Sequence, residues 1–164
     1  MDERASRPAT VEDLKRLLKA LHAEDADYLL IGGYALNALG YQRATTDIDL
    51  LLPRSAVTGA RVKRALLGLP DGVARDLDPA WFEEGDTIRV ADEFVIDLMF
   101  NACGQTYESL LAHAVTIDLD GVPVRTLDLE GMLKTKQSQR EKDRFDRLAL
   151  ERALEALKRE PSED

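Results

Sequence analysis

Cysteine, histidine and an excess of basic charge are what this chain most lacks. A single cysteine, Cys103, excludes an intramolecular disulfide. A reducing, cytoplasmic compartment is therefore the expectation. No apolar run reaches the roughly 18 residues needed to span a bilayer. The opening segment MDERASRP has no hydrophobic signal region, so no membrane partner is expected. Lys and Arg number 22 against 31 Asp and Glu, a formal net charge of -9. Nonspecific nucleic-acid binding relies on cations that displace phosphate counterions, and this balance argues against it. A small anionic ligand held through a metal is not excluded. His22 and His113 are isolated, and no histidine motif accompanies Cys103 to suggest a nucleophile. There is no internal repeat and no low-complexity tract.

What is present fits one soluble domain: 164 residues, 45% hydrophobic and 32% charged. Residues 1–9 read as a flexible N-terminus. Thr10-Val-Glu-Asp13 resembles a capping box, and Val11, Leu14, Leu17, Leu18 and Leu21 follow with helical spacing. Asp27 to Ile31 is a short apolar strand ending at Gly32-Gly33, and YALNAL before Gly40 is a short helix. DIDLLL is a second strand, closed by Pro53, and Ser55 to Leu69 a helix. DTIRVAD and EFVIDLMF read as strands around a turn at Asp92-Glu93, and SLLAHA as a short helix. Asp120-Gly121 between alternating runs predicts a hairpin. Asp128 to Lys158 is helical, as two helices or one bent one, with a disordered tail at 160–164. The expected fold class is α/β (α+β): a mixed sheet flanked by helices over residues 10–126, with a helical segment at 127–159 packed on it.

The chemistry concentrates in RATTDIDLLL. Asp47 and Asp49 are two residues apart in a strand, so they share a face while Ile48 and Leu50 point to the core. Two carboxylates this close repel; one stays protonated unless a cation lies between them. A hard divalent cation such as Mg2+, or Mn2+, prefers such oxygen ligands. Asp97 sits within the apolar run EFVIDLMF, where an unpaired charge is costly. Either it completes a three-carboxylate site on a neighbouring strand, or it pairs with an arginine such as Arg89. Gly32-Gly33, at a strand end and before a helix, permits close approach of backbone N–H groups to phosphate oxygens; it also reads as a plain strand-to-helix turn. Thr45 and Thr46 flank the acids and read as bonding to the backbone there. Arg43 either touches a phosphate or pins the loop to a carboxylate. Lys136, Arg140 and Asp143 are spaced to share one helix face, as a phosphate contact or as solvated ion pairs with Asp146.

LLIGGYALNALGYQRATTDIDLLL resembles the signature of the nucleotidyltransferase superfamily, the DNA polymerase β-like fold: a hydrophobic strand, Gly-Gly, about a dozen residues, then Asp-x-Asp, with a third acid on a later strand. KTKQSQREKDRFDRLAL resembles a helix of its small bacterial branch, which includes AbiEii-type toxin nucleotidyltransferases. The two matches run from about Tyr28 to Leu150. The resemblance implies Mg2+-dependent transfer of NMP from an NTP, most simply ATP, to an unidentified hydroxyl acceptor. It implies Asp47, Asp49 and Asp97 as metal-binding and catalytic residues. It implies Gly32, Gly33, Arg43, Thr46, Lys136 and Arg140 as nucleotide contacts, with Lys134 the rival of Lys136. It also implies a possible antitoxin protein as partner. The readings from other classes are a non-catalytic nucleotide- or protein-binding module on the same fold, and an interaction protein whose acidic surface mimics nucleic acid.

Overall fold

Thr10 starts the first helix by the reciprocal bonds of a capping box with Asp13. The computed structural model describes residues 6–41, 45–136 and 141–159. Helix α1 (Val11–Ala23) buries Leu14, Leu17, Leu18 and Leu21, one stripe at helical spacing. Strand β1 (Leu29–Ile31) runs directly into α2 (Gly32–Ala38), so the two glycines form the first turn of that helix. Strand β2 (Ile48–Leu51) is followed by α3 (Ala56–Leu66), whose N-cap Ser55 accepts from the backbone N–H of Val57 and Thr58. A 3-10 turn (Val73–Asp76) and the single-turn helix α4 (Trp81–Glu84) lead to β3 (Ile88–Ala91) and β4 (Val95–Met99). The expected SLLAHA helix is a 3-10 helix, Glu108–His113. Strands β5 (Ala114–Leu119) and β6 (Val122–Leu127) close on Asp120 and Gly121, both with positive φ, as a two-residue hairpin turn demands. Among the described residues of the C-terminal segment are the helices α5 (Leu129–Lys134) and α6 (Glu141–Arg159). Among the described residues no helix is long and apolar enough to cross a membrane.

The sheet is mixed, as expected, in the order β1-β2-β4-β3. Its central pair β2/β4 is parallel and both outer pairs are antiparallel. A parallel pair needs a long crossover, here α3, the 3-10 turn, α4 and β3 together. Leu30, Leu50 and Leu98 are register partners across three strands, and Ile48, Ile96 and Val90 form the next such set. All six are buried and join one core with Leu18 of α1 and Leu66 of α3. The β5/β6 hairpin forms a separate two-stranded sheet, tied to β1 where the Thr126 hydroxyl donates to the Leu30 carbonyl at 2.7 Å.

Residues 6–9 depart from the expected flexible terminus. Arg7 N–H donates to the Glu93 carbonyl and Ala9 N–H to the Thr46 carbonyl, each at 2.9 Å. Ala9 is buried, and its carbonyl accepts from the Tyr34 hydroxyl. The segment is held because its backbone groups find partners on two different loops, which no local pattern announces.

Candidate functional site

The strand registers carry Ile31, Asp49, Asp97 and Arg89 into one row across the four strands. Register partners project to the same face of a sheet, so both acids and the arginine converge. Asp47 lies two residues before Asp49 on the same side, while Ile48 and Leu50 are fully buried on the other. The acids open on a cleft of about 770 Å³, the size of a small-molecule site. Gly32, Gly33, Thr45 and Thr46 line one part of it, Thr87, Met99, Asn101 and Cys103 another, and Thr135 and Lys136 a third.

The glycines are there because nothing larger fits. Gly32 has φ +77°, and a Cβ on it would collide with the Asp49 carboxylate. A Cβ on Gly33 would lie 2.6 Å from Thr45 Cβ. The backbone of the first turn of α2 therefore rests against the acid-bearing strand. Thr45 Oγ1 donates to the Asp47 carbonyl at 3.2 Å, the backbone role expected of it. Thr46 differs: its hydroxyl donates to the Asp47 carboxylate Oδ1, also at 3.2 Å.

For Asp97 the structure shows the arginine pairing, on a strand that lies beside the Asp47–Asp49 strand. It is the register partner of Asp49, and it also pairs with Arg89, whose Nη1 is 3.2 Å from Asp97 Oδ1. Arg89 Nη2 reaches Asp47 Oδ2 at 3.3 Å, so one guanidinium bridges two of the three acids. Burial pushes the Asp97 carboxyl above its ordinary value. Arg89 opposes the shift, the charge of Asp47 adds to it, and a hydrogen bond with Asp49 opposes it. The repulsion expected from closely set carboxylates is offset in part by the Arg89 guanidinium.

The donors here are of the oxygen type that a hard divalent cation takes. They are oxygens from three carboxylates on one face, with more negative charge than Arg89 offsets. Among the described residues no three acidic, histidine or cysteine side chains stand together as a ready ligand set; Arg89 lies between Asp47 and Asp97.

Lys136 is 9% exposed and lines the cleft, whereas Lys134 is exposed and does not line it. Lys136 lies just past Thr135, the C-cap of α5; the helix face expected to join it to Arg140 and Asp143 falls in part outside the described residues. Arg43 and Arg140 lie outside the described residues, as do the side chains of Asp143 and Asp146. Trp81 is exposed at the start of α4 and does not line the cleft. His22 bonds to Tyr28 and His113 to Asp128, both away from the acids. Thr87, Asn101 and Cys103 were not legible as cleft residues, because each is placed by the ends of β3 and β4 rather than by a motif.

No protein-family model matches the chain, and no curated protein matches it.

Proposed function

We propose that this chain is a Mg2+-dependent nucleotidyltransferase that moves NMP from an NTP, most simply ATP, to a hydroxyl acceptor. The observation that carries the reading is the convergence of Asp47, Asp49 and Asp97 on one face of the parallel β2/β4 pair, beside Gly32-Gly33 in the same cleft. The resemblance of LLIGGYALNALGYQRATTDIDLLL to the nucleotidyltransferase signature supports it.

In this reading the acceptor oxygen attacks the α-phosphorus, a new P–O bond forms, and the bond to pyrophosphate breaks. Asp97 takes the acceptor's proton. The backbone of Gly32 and Gly33 admits the β and γ phosphates closely, since no Cβ stands in the way. Lys136 brings positive charge to the same cleft, and Thr46 orients Asp47. Asp47, Asp49 and Asp97 would hold Mg2+, which would supply charge neutralisation at the phosphates. A toxin role with an antitoxin partner belongs to the same resemblance.

The experiment is incubation with labelled ATP and each other NTP in turn, with Mg2+ and cell extract as the acceptor pool. Label moves to an acceptor in a Mg2+-dependent way, and Asp47→Asn reduces transfer by at least about 100-fold while leaving the fold intact, the scale expected for loss of a charge-stabilising group. An unchanged rate in that variant overturns the reading.

The ion pairs of Arg89 favour a second reading: a cleft that binds a nucleotide or a protein without turnover, two of its acids paired with an arginine. Metal-independent ATP binding with no product would select it.

A further inference from the structure

We propose that Arg89 is an internal counter-cation that competes with the divalent cation for Asp47 and Asp97, so that the cation enters only as the guanidinium leaves. The inference rests on the metal-binding reading of the three acids and adds a residue to it. Three observations carry it.

The first is the contact geometry. Arg89 Nη1 donates to both oxygens of Asp97, at 3.2 and 3.3 Å, and Nη2 donates to Asp47 at 3.3 Å. The guanidinium thus engages two of the three carboxylates required by a cation. Arginine stays protonated at any physiological pH, so its charge can be removed from the acids only by moving the side chain. A divalent cation and a guanidinium on the same carboxylate oxygens would repel each other.

The second is exposure. The Arg89 side chain is 59% exposed, against 30% for Asp47 and 16% for Asp97. The acids are recessed and the arginine lies over them from the solvent side. It has room to leave; they do not.

The third is its place in the sheet. β3 is an edge strand, and Arg89 is the register partner of Asp97. Its backbone is fixed by pairing with β4 on one side, while no strand of the four-stranded sheet lies on the other. Displacement therefore asks for a side-chain rotation and no rearrangement of the sheet. The arginine is the exposed member of both pairs, so it neutralises the acids without being locked over them.

The test is Mn2+ titration of the full chain without nucleotide, read by the electron paramagnetic resonance signal of unbound Mn2+. Arg89→Gln and Arg89→Met, the second keeping an apolar stem, are compared with the unaltered protein. Both variants bind Mn2+ about fivefold more tightly, which corresponds to about 1 kcal/mol. Circular dichroism checks that each variant is folded. Folded variants with unchanged or weaker Mn2+ binding overturn this inference alone, provided that the unaltered protein binds Mn2+ and Asp47→Asn does not. Absence of Mn2+ binding in the unaltered protein and in both arginine variants overturns this inference and the metal-dependent reading together.

Discussion

Asp13 shows how much one carboxylate can hold at the start of a helix. Its Oδ2 accepts from the Thr10 backbone N–H at 2.8 Å, closing the capping box. Its Oδ1 accepts from Arg7 at 2.9 Å and from Arg16 at 2.7 Å. The side chain is only 2% exposed. The hydrogen bond from Arg7, with further ones from Thr10 and Arg16, holds its carboxyl well below the usual carboxylate range despite burial. A carboxylate with a depressed value in the fold stabilises it fully above its unfolded pKa and progressively less as pH falls toward the folded value. Asp13→Asn is therefore expected to lower stability by about 2 kcal/mol at pH 7, from the lost charge-assisted bonds and cap. The gap from the unaltered protein narrows below about pH 4, where that protein begins to lose the same contribution. Urea unfolding midpoints at pH 7 and pH 3 check this; a gap that stays constant with pH overturns it. The Thr10–Asp13 half of this cluster was legible, because a capping box is a local four-residue pattern. The Arg7 half was not: it depends on residues 6–9 being pinned to Glu93 and Thr46 by backbone bonds between distant parts of the chain.

At the scale of elements, the strands were legible from their apolar runs and the hairpin from Asp120-Gly121, since period and turn chemistry are local. The single turn at Trp81–Glu84 was not, because four residues carry no measurable helical period. The strand order was also beyond local reading. Nothing in DIDLLL or EFVIDLMF says that they lie side by side, parallel, with Asp49 against Asp97; the sequence allowed that pairing without requiring it. How the β5/β6 hairpin attaches was equally hidden. It rests on Thr126, fully buried in β6, whose hydroxyl reaches across to the Leu30 carbonyl of β1. Thr126→Val keeps the shape and removes the donor. It is expected to cost about 1 to 2 kcal/mol, the usual range for a buried hydrogen bond lost on one side. Chemical denaturation measures it, and a variant as stable as the original would mean that apolar packing alone holds the hairpin.

For the molecule as a whole, the net charge of -9 sets the context in which the cleft works. An acidic protein repels an NTP unless positive charge is brought to the site, and among the described residues of the cleft that charge comes from Arg89 and Lys136. If Asp47, Asp49 and Asp97 bind a divalent cation in the native state only, mass action must raise stability with cation concentration. The unfolded chain has the same carboxylates, but they no longer converge. At a cation concentration of about 100 times the dissociation constant the gain is about 2.7 kcal/mol. For a chain of this length that is a rise of roughly 5 to 10 °C in the melting temperature. The comparison is thermal unfolding in Mg2+ against unfolding in a chelator, with monovalent salt matched so that general screening of the acidic surface is equal in both. Asp49→Asn should show little of the difference. An equal rise in that variant would trace the effect to the acidic surface at large, and the absence of any rise in the unaltered protein would leave the carboxylates to Arg89 alone.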